Sequence, residues 1–291
     1  KCYRQGMIGD EKGKKSLGIV GKYCIQDSVL VLRLFEKIQC WVGLCAMAKT
    51  CNVPIFSLIT QGQQIKVFSQ VYKLCMKQNF VVEYEGYIPV DDEEYTGATV
   101  FPPIPGLYEK VIPFDFASLY PTTIIAYNID YSTLVSEDNH SIPDDDCHII
   151  EWSDHVGCEH DQTERNTSVN KVICFENRRY RFLKSPKGVM PQLLEYLLNT
   201  RKKTKQEMKK LKQFIKNNDN LSDEEIKDLE KKIIILDKRQ LAYKISANSM
   251  YGSMGVKRGY LPFLPGAMCT TAKGRQSIEK AAKVIQQQYK G

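Results

Sequence analysis

Apolar residues recur at helical spacing from Gly21 to Lys49, at Ile25, Val29, Leu30, Leu32, Leu34 and Ile38, before Cys51-Asn52-Val53-Pro54 breaks the pattern. That periodicity predicts one helix and its exit. From Phe80 to Pro105 short apolar runs alternate with Gly86, Gly97 and four prolines, which predicts strands and turns. Leu107 to Phe116 is strand-like, and Ser118-Leu119-Tyr120-Pro121 then opens Thr122-Thr123-Ile124-Ile125-Ala126. Proline suits the first turn of a helix, where its missing N–H costs nothing, so a strand is expected to turn into a helix near Asp115. The clearest periodicity runs from Pro191 to Lys216, through Leu193, Leu194, Leu197, Leu198, Leu211, Phe214 and Ile215, and stops at Asn217-Asn218-Asp219-Asn220. Ser222 with Glu225 three residues on forms a capping box, opening a second long helix to about Tyr251. Two helices joined by a short polar turn predict an antiparallel hairpin.

With 291 residues, 43% of them hydrophobic, the chain can build real cores. The stretch from Ser28 to Met47 is apolar but holds Arg33, Glu36 and Lys37, so it suits a buried helix and no membrane role is expected. Ten scattered cysteines without framework spacing point to a reducing, intracellular setting. The net charge of +7 is unevenly placed. From Arg178 to Lys244 there are 19 Lys and Arg against nine Asp and Glu, whereas Val135 to Asp161 holds nine acidic residues and no Lys or Arg. Such segregation fits a protein that meets a polyanion with one region, and equally fits solvated helix faces. Lys1 in place of an initiator Met, and an end at Tyr289-Lys290-Gly291 straight after a helical pattern, read as internal cuts of a longer protein.

Asp115 stands where the expected strand gives way to a tight turn. A carboxylate there can bind Mg²⁺, and the N–H groups of Ala117, Ser118 and Leu119 can hold phosphate oxygens; Asp in such a place is also an ordinary turn or cap residue. Arg201 and Lys205 are four apart on the first long helix, on one face with Cβ atoms roughly 5–6 Å apart. Lys244 and Asn248 repeat that spacing on the second, with Tyr251 a turn further and Gly252 and Gly255 beyond. Folded over Asp115, the hairpin would surround a metal-bound triphosphate with three cations.

Asp115-Phe116-Ala117-Ser118-Leu119-Tyr120-Pro121 resembles motif A of the family B DNA polymerases, and Lys244-Ile245-Ser246-Ala247-Asn248-Ser249-Met250-Tyr251-Gly252 resembles motif B. Tyr95-Thr96-Gly97-Ala98 resembles the Tyr-x-Gly-Gly/Ala element between the exonuclease and polymerase modules. Gly62-Gln63-Gln64-Ile65-Lys66 resembles the stretch upstream of it, and Thr271-Ala272-Lys273-Gly274-Arg275 a palm helix element. Gly21-Lys22-Tyr23-Cys24-Ile25-Gln26-Asp27 resembles the third 3′–5′ exonuclease motif, Tyr-x-x-x-Asp. Ala126-Tyr127-Asn128-Ile129-Asp130-Tyr131-Ser132-Thr133-Leu134 is similar to the delta-like polymerases of large double-stranded DNA viruses.

The resemblance implies an α+β fold: an incomplete right-hand polymerase palm with helical-hairpin fingers, preceded by the end of a ribonuclease H-like exonuclease domain. Residues 1–60 would be the exonuclease remnant, 61–86 a connector, 87–186 the first part of the palm with an acidic insertion near 135–170, 187–252 the fingers, and 253–291 further palm. It implies template-dependent joining of dNTPs to a primer 3′-OH in DNA replication, with two Mg²⁺ ions as cofactors. Asp115 and the Phe116 carbonyl would hold metal, and Ser118 and Leu119 would seat the triphosphate. Tyr120 would lie beneath the sugar and exclude a ribose 2′-OH. Arg201, Lys205 and Lys244 would neutralise the phosphates with Asn248 nearby, while Tyr251 and Gly252 would line the nascent base pair. Tyr23 and Asp27 would belong to the exonuclease site. The implied partners are primer–template DNA, a sliding clamp or other replication proteins, in the nucleus or at a cytoplasmic replication site of an infected cell if the parent is viral.

The family pattern places a second catalytic Asp in a Tyr-x-Asp-Thr-Asp hairpin after motif B, and no such run occurs between Gly252 and Gly291. One carboxylate cannot complete two near-octahedral Mg²⁺ shells, so these 291 residues alone are expected not to extend a primer. Rival readings are a catalytically inactive relative that binds DNA or organises a replication complex, and an RNA polymerase or terminal transferase. Cys147, His148, His155, Cys158 and His160 have the residue types for zinc but lack paired-Cys spacing, so unligated loop residues are expected.

Overall fold

A left-handed residue, not a proline, divides the first long helical run. The computed structural model describes residues 1–82, 97–156, 173–218, 220–256 and 259–289. After a short α1 (Cys2–Gly6), Asp10 caps α2 (Glu11–Lys37) by accepting the Gly13 N–H. Gln39 then adopts φ 53°, which no right-handed helix can pass through, and α3 (Cys40–Cys51) starts afresh. The single helix expected over 21–49 is therefore two, because side-chain periodicity survives a one-residue backbone turn. Asn52, also left-handed, ends α3. Next come α4 (Ile55–Thr60) and α5 (Gln63–Lys77), the latter beginning after Gly62.

The strand expected at Leu107 to Phe116 does not form. Among the described residues, 97–116 joins no strand, and Leu107, Val111, Ile112 and Phe114 stand exposed. Apolar β-formers make a strand only when a neighbouring backbone takes their hydrogen bonds. Most of the strand-and-turn expectation for 80–105 falls on 83–96, outside the described residues.

The sheet lies elsewhere. Strands β1 (Leu134–Val135), β2 (Cys147–Val156) and β3 (Ile173–Leu183) are antiparallel in the order β1-β3-β2. Its arginines neutralise part of the acidic stretch. Arg181 is buried and donates to the carbonyls of Asn139 (2.7 Å), Ile142 (3.0 Å) and Ser136 (3.2 Å), while Arg179 bonds Glu151 (2.8 Å) and Asp144.

The hairpin forms as expected: α7 (Val189–Asn217) and α8 (Asp223–Met254), the second opened by the Ser222–Glu225 capping box. With α6 (Leu119–Ala126) and α9 (Leu264–Tyr289) they share one core around Ile124, Ile129, Met190, Leu194, Met250 and Ala267. A buried polar pair ties α5 to α8, as Gln70 Nε2 donates to Ser246 Oγ at 2.7 Å.

Two side chains just past α6 hold the start of α7. Asn128, itself left-handed at φ 52°, accepts the Gly188 N–H at 2.9 Å and donates to the carbonyls of Leu183 (2.7 Å) and Pro186 (2.9 Å). Asp130 accepts the Met190 N–H at 2.8 Å and the Ser132 N–H at 3.1 Å. Both are buried, and a Cβ on Gly188 would stand 2.4 Å from that of Asp130, so only glycine allows the approach. Asn128→Ala would strand one donor and two acceptors, and should cost about 2–4 kcal/mol in denaturant unfolding. Gly188→Ala should be similarly damaging; if both variants unfold at the parental midpoint, these caps do not anchor the hairpin.

Candidate functional site

Three helices converge on Tyr120. Ser118 adopts φ 60° at the N-cap of α6, turning the chain so that Leu119 and Tyr120 open the helix. The Tyr120 ring lies 4.5 Å, centroid to centroid, from that of Tyr251 near the end of α8. It also meets α9, where a Cβ added to Gly274 would come within 2.8 Å of Tyr120 Cε1. Tyr120 thus touches one residue of the Lys244–Gly252 run and a glycine of the Thr271–Arg275 run. Arg275 in turn donates to the Gly97 carbonyl at 2.9 Å, joining that element to the described half of the Tyr95–Ala98 motif. Tyr95 and Thr96 lie outside the described residues.

Asp115 sits three residues before the N-cap, in the exposed segment that leads to the turn. Among the described residues no hydrogen bond or ion pair holds its carboxylate, and Phe116 beside it is also exposed. The N–H groups that open α6 form a positive helix end, suited to anionic oxygen. Asp115 can therefore serve as one ligand of a divalent cation. Among the described residues no three His, Cys, Asp or Glu side chains gather closely enough to hold a metal.

Lys244 and Asn248 are exposed one turn apart on α8, with half-buried Tyr251 a turn beyond. Gly252 faces open space. Across the hairpin, Arg201 Nε donates to Gln240 Oε1 at 3.2 Å, and Gln240 stands one turn before Lys244. Arg201 and Lys205 also line a shallow trough of about 560 Å³ along α7, with Lys202, Lys209 and Lys212 as its other cations. The structure thus brings Tyr120 to Tyr251, and Arg201 to the Lys244 side of α8.

Gln240 and Gly274 were missed by sequence reasoning. Gln240 has the i, i+4 relation to Lys244 as its only signal, and Gly274 lies inside a quoted motif without any sign of what it seats. Tyr23 and Asp27 are exposed, one turn apart on α2. Of the Cys and His cluster, Cys147 is buried and His148 lies edge-on to Tyr127 at 5.8 Å, its pKa lowered by burial and by the Lys184 cation. The side chain of His155, and residues Cys158 and His160, lie outside the described residues.

The sequence profile of DNA polymerase family B matches residues 53–291. DNA polymerase 120R of Invertebrate iridescent virus 3 is 47% identical over the whole chain, which spans 28% of that protein's length. The DNA polymerase delta catalytic subunit of Dictyostelium discoideum is 34% identical over 97% of the chain, which spans 22% of it. In three dimensions the family B DNA polymerase of Pyrobaculum calidifontis superposes on 97% of the chain with a TM-score of 0.64 at 23% identity, a likeness of fold covering 31% of that structure. The chain belongs to DNA polymerase family B.

Proposed function

We propose that this chain supplies the nucleotide-binding half of a DNA-directed DNA polymerase site, acting in DNA replication on primer–template DNA and dNTPs. The observation that carries the reading is the contact of Tyr120 with both Tyr251 and the Gly274 position, with an exposed Asp115 five residues before it and the exposed Lys244–Asn248 pair leading to Tyr251 on α8. A polymerase needs those elements together: a metal ligand, a cationic wall and a flat, sterically limited floor.

Asp115 and the Phe116 carbonyl would hold Mg²⁺, which when bound would ease deprotonation of the primer 3′-OH and stabilise the departing charge. The N–H groups at the Ser118 turn would hold phosphate oxygens, and Lys244, Arg201 and Lys205 would neutralise the triphosphate from the hairpin, with Asn248 alongside. Tyr120 would lie beneath the sugar, where a ribose 2′-OH would collide with the ring. Tyr251 and open-faced Gly252 would flank the nascent base pair. Contacts to DNA would go mainly to phosphates, so binding would weaken steeply with salt. A sliding clamp or other replication proteins would complete the assembly, in the nucleus or at a cytoplasmic replication site of an infected cell if the parent is viral. Among the described residues no helix is long and apolar enough to cross a membrane. The chain would divide into fingers over 187–252, palm over 87–186 and 253–291, and a connector over 61–86 after an exonuclease remnant over 1–60.

In a polymerase containing this chain, Asp115→Ala should lower kcat for primer extension by roughly 10³-fold or more, whereas Lys244→Ala should mainly raise the dNTP KM. The 291 residues alone should incorporate nothing, having one carboxylate of the set; Mg²⁺-dependent extension by them would overturn the half-site reading.

Tyr120→Ala should raise ribonucleotide incorporation by about tenfold or more. Gly274→Ala should move the same way through the displaced ring, and unchanged sugar selectivity in both would remove the gate.

Tyr23 and Asp27 would act in a 3′–5′ exonuclease, the carboxylate binding metal and the phenol orienting water. Asp27→Ala should abolish 3′-end degradation while leaving extension intact; retained degradation would place that site elsewhere.

A further inference from the structure

We propose that the cavity framed by α3, α5, α7 and α8 is a second ligand site, which takes a small aromatic anion of the nucleoside monophosphate class. Its volume is about 760 Å³, within the range of small-molecule sites. Two cross-links bracket it. Lys238 Nζ on α8 donates to the Ile38 carbonyl before α3 at 2.6 Å, and Gln78 Nε2 after α5 donates to Gln192 Oε1 on α7 at 2.7 Å. With Gln70 on α5 bonded to Ser246 on α8, these bonds link all four walls, and the pocket is preformed.

Its chemistry has two parts. The lining is largely apolar, from Val42, Ala46, Leu74, Leu193 and Ile235, with Trp41 and Tyr196 at its edge. Those two rings are 58% and 61% exposed, which leaves aromatic faces open for stacking. Lys49, Lys73, Lys77 and Arg239 supply four positive charges, and among the described residues no Asp or Glu lines the cavity. Lys73 donates to the Asn52 side-chain carbonyl, and among the described residues none of the four has an ion pair with a carboxylate. Tyr243 closes the wall beside Arg239, its phenol pKa raised by burial and by Tyr196, against a lowering by Arg239.

Four like charges around one apolar hollow repel each other, and an anion inside relieves them. A neutral ring would satisfy the walls and leave the charges, whereas a lone phosphate would meet the cations and leave the rings. A planar base carrying one phosphate answers both. The site is separate from the one around Asp115: Tyr196 and Arg201, like Arg239 and Lys244, are five residues apart, about 140° round their helices.

The chain has two tryptophans, so Trp152→Phe leaves Trp41 as the sole reporter. Titrating that variant with adenosine 5′-monophosphate should quench Trp41 saturably, with half-saturation at least about tenfold tighter than for adenosine or inorganic phosphate. Arg239→Gln and Lys77→Gln should each weaken the response several-fold with circular dichroism and thermal midpoint retained, while Arg201→Ala and Lys244→Ala should leave it unchanged. Absence of saturable quenching, equal quenching by adenosine, or loss in Lys244→Ala but not Arg239→Gln would overturn the proposal. None of these outcomes depends on whether the Asp115 site extends a primer.

Discussion

The placement of the hairpin depends on two buried side chains, Asn128 and Asp130, that reach 60 residues along the sequence to the start of α7. A helix begins with four N–H groups that have no partner inside it. Here the start is buried, so water cannot serve them, and each would cost about 1–3 kcal/mol unmet. Asn128 and Asp130 take the N–H groups of Gly188 and Met190 and thereby fix where the α7 axis starts relative to the end of α6. The side chains of the hairpin inherit that position: Arg201 and Lys205 directly, and Lys244 and Asn248 through the α7–α8 packing. A local cap thus sets the distance between two motifs that never meet in sequence.

How much of this could be read from the sequence follows from the range of each interaction. The hairpin was legible because its signals are local: leucines at helical spacing and a Ser with a Glu three residues on. The break at Gln39 was not, because glutamine carries no left-handed preference and the apolar pattern runs through it. Leu107 to Phe116 misled in the opposite direction. Its residues favour a strand, but strand formation belongs to a pair of segments, and no described segment pairs with it. At the candidate site, the placement of Arg201 with Lys205 and of Lys244 with Asn248, each pair one turn apart on a helix, was legible from spacing. Gly274 was not assigned a seat, since only the fold puts α9 against Tyr120.

Charge was partly legible for the same reason. The excess of Lys and Arg from Arg178 onward was read as one basic region, yet the structure divides it. Arg179 and Arg181 turn to the acidic stretch of their own sheet, Arg181 with its guanidinium on three carbonyls. What is left for a polyanion is the α7 trough and the exposed face of α8. Composition counts charges, but only hydrogen-bond partners say which of them are already spent.

Tyr120 shows why such a site is built at a helix junction rather than on a loop. A ring that is to discriminate by collision must not yield when struck, so its own position has to be over-determined. Tyr251 limits it from α8 and Gly274 from α9, while the left-handed Ser118 fixes the direction in which α6 sets out. Each of the three restraints comes from a different element, and all three elements share the core that the Asn128 and Asp130 caps hold in register. Asp115 lies outside that core on an exposed segment, where a carboxylate keeps its hydration until a cation replaces it. The roles proposed for the two residues make opposite demands, rigidity at Tyr120 and accessibility at Asp115, and a turn separates them within six residues.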